Sequence, residues 1–215
     1  AARQLPVEPP EDKRCHHGAA VPSAISDDQN WLLYQHGCLC DVLRTDGSKA
    51  RELGFSSAQL VGTLVIGDLG PGEKGEATQL KVMELNTGAK WFIEGVRLHA
   101  RTVRIPGTEN VLMLDEKGRV LFVELRPKRV KVLRDAAPPS VTVEPTKEGK
   151  ALVVTRDDGE HVCAVLELDP ATGKQRRLAG VNGAEQCFAS PTRSGTIVFA
   201  WRFPGGQQAL LADLD

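Results

Sequence analysis

Two groups of side chains in this 215-residue chain have types and spacing that can do chemistry. The first is "CHH" at Cys15, His16 and His17, followed by His36, Cys38 and Cys40. Thiolates and imidazoles are soft donors that suit zinc or copper. The spacing argues against a metal, because C-x-C is not the C-x2–4-C opening of structural zinc sites. These residues read instead as solvated loop features and as thiols that are partly buried or paired, with Cys15 bonded to Cys38 or Cys40. No metal and no cofactor is expected. Cys163 and Cys187 complete a set of five cysteines, an odd number that leaves one unpaired within the chain, and the pairing stays open.

The second group is "VRLHARTVRI", where Arg97, His99 and Arg101 alternate and so project to one side of an extended strand, with Arg104 beyond them. Such a row can grip an anion or an acidic partner segment; it can equally be a solvated face paired with nearby Asp and Glu. Catalytic patterns are sparse. No G-x-S-x-G elbow occurs. His161 and Cys163 share a strand face by their two-residue spacing but read as a turn residue and an apolar strand position. Glycosidase chemistry needs paired carboxylates, and only Glu144 and Glu185 lie in or beside the segments read below as first strands. The chain is therefore read as not an enzyme.

The elements that must carry these residues repeat. "ALVVTRDDGEHVCAVLELDPATGKQRRLAG", from Ala151 to Gly180, reads as apolar run, Asp/Gly turn, half-alternating run, Pro/Gly turn and polar edge-like run. With "SVTVEPTKEG" before it, the unit is four strands without a helix. Similar units recur, and their second strands are predicted to start near Trp31, Thr63, Asn110, Ala151 and Thr196, on average about 41 residues apart, the period of a four-stranded propeller blade. Turns recur at matching offsets: "SDDQN", "PGTEN", "PTKEG" and "PTRSG" after first strands, "RTDGSK", "NTGAK" and "DPATGK" after third strands. Gly accepts positive φ and Pro presets φ, which gives the recurrence a physical cause.

The last unit stops after its third strand at "ALLADLD", and "AARQLPV" at the start resembles the fourth-strand segments "GKQRRLAG" and "SKARELG". The predicted fold is thus all-β: a single domain over 1–215 forming a five-bladed β-propeller of four-stranded antiparallel blades. The N-terminal strand closes the last blade, and 1–14 supply that strand and a Pro-rich linker. A β-sandwich, an irregular all-β domain and a fragment of a larger propeller are the alternatives.

The stretches "ASPTRSGTIVFAW", "VEPTKEGKALVVT" and "LELDPATGKQRRLAG" resemble the repeats of TolB-type bacterial propellers, which read S-P-D-G, apolar strand, then a strand ending D-x-x-T-G-K. Thr192 and Thr146 stand where that motif has Asp. The resemblance implies an extracytoplasmic binding or scaffolding protein, or a propeller attached to a peptidase. It implies a periplasmic or cell-surface location, with an anchored precursor and a cytoplasmic protein as the alternatives. It transfers no catalytic residue.

Composition narrows the partners. With 27 basic and 28 acidic residues the chain lacks the basic excess of a nucleic-acid binder. No apolar run approaches the ~20 residues of a membrane-spanning helix. The expected partner is a protein or peptide, bound by loops on one face of the ring; a lectin or glycoside hydrolase on the same ring is the alternative. The residues assigned to partner binding are Arg97, His99, Arg101, Glu185, Trp201 and His17. Trp201 lies near the loop in "AWRFPGG", although blade-to-blade packing is the simpler role for each tryptophan.

Overall fold

A computed structural model describes residues 21–36, 39–48, 50–68, 79–96, 98, 102–135, 139–157, 159–160, 162–192, 196–203 and 205–212. Among these residues the chain forms nineteen strands and no helix, grouped into five antiparallel sheets of consecutive strands. The first sheet holds β1 (Val21–Ile25), β2 (Trp31–His36), β3 (Leu39–Arg44) and β4 (Ala50–Phe55). The second holds β5 (Ser57–Val61), β6 (Leu64–Asp68), β7 (Gln79–Glu84) and β8 (Lys90–Glu94). The third holds β9 (Thr102–Arg104), β10 (Asn110–Leu114), β11 (Val120–Glu124) and β12 (Arg129–Arg134). The fourth holds β13 (Ser140–Pro145), β14 (Ala151–Asp157), β15 (Val162–Leu168) and β16 (Gln175–Asn182). The fifth shows β17 (Gln186–Pro191), β18 (Ile197–Phe203) and β19 (Gly206–Ala212).

The second strands β2, β6, β10, β14 and β18 start within one residue of the predicted positions. β6, β10 and β14 are apolar because both of their faces are covered, whereas β18 buries alternate residues. In β14, Ala151 and Val153 pack toward the third sheet while Leu152 and Val154 pack toward the fifth, the two-residue period of a strand feeding two cores at once. Last strands are polar because they are outermost: β12 and β16 are exposed over most of their length. β14 continues to Asp157, past Thr155, where the sequence suggests a turn. Thr155, Arg156 and Asp157 stay in register with Ala164, Cys163 and Val162, and a β-branched residue at 155 favours that extension.

Contacts group the chain into two compact units, Ala1–Leu98 and His99–Asp215. In the first, Trp31, Leu33, Val42, Leu53 and Phe55 of the first sheet pack on Val65, Met83 and Leu85 beside or within the second. The Phe55 ring lies on Gly67, where a Cβ would come within 2.1 Å of it, so no larger residue fits there. In the second unit one core joins the third and fourth sheets and another joins the fourth and fifth. Each fully buried Leu, Val or Ile contributes about 1.5–3 kcal/mol.

Cys163 on β15 and Cys187 on β17 form a disulfide between adjacent sheets. Cys40 is a free, buried thiol and so is not the partner of Cys15; Cys15 and Cys38 lie outside the described residues. The expected closing strand in 1–14 also lies outside them.

The motif turns work as their residue types suggest. Asp169 Oδ1 accepts from the amides of Ala171 (2.8 Å) and Thr172 (3.2 Å), and Gly173 takes positive φ. Thr146, in the place of the motif Asp, does the same work: its Oγ1 accepts from the Lys150 amide at 3.2 Å and its own amide donates to the Lys150 carbonyl at 2.8 Å.

Candidate functional site

Antiparallel pairing sends successive connections to opposite ends of a sheet. In the second unit the connections β10–β11, β12–β13, β14–β15, β16–β17 and β18–β19 fall at corresponding ends of their sheets. They carry the loops "DEKG", "DAAPP", "RDDGEH", "GVNGAEQ" and "RFPGG", the set that the repeat pattern assigns to one binding face.

The described parts of these loops are braced. Asp115 closes the first, its Oδ1 accepting from the amides of Lys117 (3.0 Å) and Arg119 (2.8 Å). The Arg119 Nε lies 2.6 Å from Asp115 Oδ2. Burial opposes ionisation of Asp115, but the Arg119 guanidinium and the two amides outweigh it and hold the carboxyl below its ordinary value of 3.8. The Ser140 amide donates to the Gly118 carbonyl and the Arg156 amide to the Pro139 carbonyl, both at 3.1 Å, which laces the loops of the third and fourth sheets together. Arg134 Nη1 donates to the Asp135 carbonyl (2.9 Å) and to Ser140 Oγ (3.2 Å). Asp157 Oδ1 takes the amides of Gly159 (3.0 Å) and Glu160 (3.2 Å). Between these braces Glu116, Lys117, Asp135, Glu160, Glu185 and Arg202 are exposed. The result is a mixed-charge surface on fixed backbone.

Of the sequence-assigned residues, Glu185 sits on this face; it is exposed and its amide donates to the Arg202 carbonyl at 2.8 Å. Trp201 is 6% exposed and packs inward, its ring 6.1 Å from that of Phe199 and its backbone in register with Cys187. Its indole therefore supports the face from beneath. Arg97, His99, Arg101 and His17 lie outside the described residues, as does His161. Arg104 is described: its Nε donates to the Thr108 carbonyl at 3.0 Å. Glu144 is half-buried on β13, and burial pushes its carboxyl above the ordinary 4.5. The Asp115–Arg119 brace was not singled out from sequence; its signal was a carboxylate opening a D-x-x-G turn with a cation four residues on.

No family model matches the chain, and no curated protein sequence matches it. Solved structures do. TolB from Agrobacterium tumefaciens matches with a TM-score of 0.52 at 12% identity, over 91% of this chain and 76% of that one. TolB from Acinetobacter baumannii matches with a TM-score of 0.51 at 14% identity, over 89% of this chain and 50% of that one. The tricorn protease matches with a TM-score of 0.64 at 12% identity, over 91% of this chain and 20% of that one. The chain thus spans half the length of one of these proteins and a fifth of another. The likeness supports a TolB-like propeller fold and, at these identities, speaks for the fold alone. Among the described residues no helix is long and apolar enough to cross a membrane.

Proposed function

We propose that this chain is a non-catalytic binding module: a five-bladed, TolB-like propeller over 1–215, closed by its N-terminal strand, that recognises a protein or peptide through its loop face. The observation that carries this reading is the braced loop set of the second unit, where turn backbone is fixed by Asp115, Asp157 and the laced amides while charged side chains between them stay exposed. Rigid scaffold with variable loops is the arrangement that carries recognition. Glu185 lies on this surface; of the residues assigned from sequence, the basic row Arg97, His99 and Arg101 is proposed to take an acidic stretch of the partner, with His17 as a further contact.

A hydrolase on the same ring would need two carboxylates facing each other. The described first strands β1, β5, β9, β13 and β17 carry Glu144 as their one carboxylate, which favours binding over cleavage. The Cys163–Cys187 disulfide and the TolB likeness favour an oxidising, periplasmic or cell-surface setting. Affinity capture from an extract of the source organism tests the reading. The intact protein retains a partner, and the Arg97→Ala/His99→Ala/Arg101→Ala variant loses it; equal recovery by both removes the basic row.

A further inference from the structure

The last strands of the third and fourth sheets carry a concentration of positive charge, most of it away from the loop face. β12 reads RVKVLR and β16 begins QRR. Each is the end strand of its sheet, so each has a row of backbone donors and acceptors that its own sheet does not pair. Between them lies a groove of about 570 Å³ lined by Leu133, Arg134, Asp135, Leu166, Gln175 and Arg177.

Both strands bulge beside this groove. Pairing along β12 passes from Val132 to Arg134, and along β16 from Arg177 to Ala179. A bulge bends the strand and re-aims the side chains next to it; Arg134 and Arg177 lie beside the two bulges and line the groove, Arg134 tethered by Asp135 and Ser140 and Arg177 Nε donating to the Ala179 carbonyl at 3.5 Å. Lys131, three residues before Arg134 on β12, ties the third sheet to the fourth, its Nζ donating to the Pro170 and Ala171 carbonyls at 3.2 Å each. Glu167 is already neutralised by Lys150 (3.0 Å) and Arg176 (3.5 Å). Asp135 is the acidic lining residue, against Arg134 and Arg177. Burial draws the Arg134 guanidinium down from its ordinary value, so an anion beside it gains from a low local dielectric. Val130 and Val132, 39% and 45% exposed, offer apolar area on the same edge strand.

The cations are strung along strands rather than gathered into a cup, which suits an extended chain better than a compact anion. We propose that an acidic, extended segment of a partner protein docks in this groove, its backbone along the open edge of β12 and its alternate carboxylates against Arg134 and Arg177. This surface meets the loop face at Arg134 and Asp135, and Arg177 on β16 belongs to the groove without being part of that face.

The test is fluorescence anisotropy with a fluorescein-labelled octapeptide of alternating Glu and Val, compared with the same peptide carrying Gln for Glu. The protein binds the Glu peptide, and more weakly as salt rises. Arg177→Glu, at an exposed position that keeps the fold, weakens binding about tenfold or more. Arg134→Gln has a similar effect, its fold checked by circular dichroism. Arg126→Ala, which loses an ion pair with Glu109 outside the groove, leaves binding unchanged. Equal binding of the Glu and Gln peptides overturns the proposal, as does an Arg177→Glu variant that binds like the parent. Binding of inorganic tripolyphosphate without binding of the Glu peptide also overturns it, by making the groove a small-anion site.

Discussion

The two compact units face one mechanical task, holding a sheet against its neighbour, and meet it with different chemistry. In the first unit the staple is an indole. Trp31 is 1% exposed, and its Nε1 donates at 3.0 Å to Asn86 Oδ1 in the turn of the second sheet. The guanidinium groups of Arg44 and Arg51 lie over the ring, each 5.5 Å from its centroid, and Arg51 reaches on to the Asn86 carbonyl at 3.4 Å. In the second unit the Cys163–Cys187 bond staples the fourth sheet to the fifth, and at the opposite end of the fourth sheet Lys131 on the 170–171 carbonyls ties it to the third. The indole staple depends on three turns being in place at once and is indifferent to redox state. The covalent one acts chiefly by restricting the unfolded chain and works only where thiols are oxidised.

The largest effect expected is on the indole. Trp31→Ala removes the packing of a fully buried ring and costs about 3–5 kcal/mol, with amide exchange in β2 and β7 speeding up first. A uniform loss of protection across both units would break the comparison. Next comes the disulfide. Its reduction, or Cys163→Ala with Cys187→Ala, costs about 3 kcal/mol for a closed loop of this length, read as a lower midpoint in urea. The comparison is sharpened if β14–β18 lose protection and β2–β7 do not.

Cys40 reports on the first unit from inside. Burial pushes its thiol above the usual range, so it resists a thiol reagent in the native protein and reacts quickly in the Trp31→Ala variant. Rapid labelling of the native protein at Cys40 would contradict the packing described.

Smaller effects come from two carboxyls of the second unit with opposite signs. Asp115 has a depressed pKa, so its stabilisation is present above 3.8 and is lost as pH falls through the lower, folded-state value. Asp115→Asn lowers stability by about 1 kcal/mol at pH 7, and thermal melts of the two proteins converge in acid. Glu144 has a raised pKa, so its neutral form is favoured on folding; that contribution is present below 4.5 and lost as pH rises through the folded-state value. Glu144→Gln therefore melts higher than the parent at pH 7 and level with it below pH 4.5. A variant that melts lower at pH 7 would show that the carboxylate has a favourable partner.

Much of the architecture could be read from the residues. Central strands announce themselves by apolar runs, and the turns by Asp, Thr and Gly at fixed offsets, because those residues act locally. Relations between sheets were harder. Nothing in the 24-residue separation of Cys163 and Cys187 says that β15 and β17 bring them together. Trp201 looked presentable because it precedes a loop, yet it shares strand parity with buried Ile197 and Phe199, and parity decided its place. Charge along "RPKRVK" is the pattern of an exposed edge strand; that the end of β12 and the start of β16 line one groove needed the packing of the two sheets. Glu185 lies on the connection just before β17, while Arg97, His99, Arg101 and His17 fall outside the described residues.

The claim that the loop face binds a partner is tested most directly by site-specific photo-crosslinking in the source organism. A benzophenone residue replaces Lys117, Glu160 or Glu185 on that face, or Pro127 or Thr172 at the opposite ends of the sheets. The account predicts one discrete crosslinked protein from each of the first three positions and none from the last two. Crosslinks from Pro127 or Thr172 alone, with the loop-face positions silent, would contradict it.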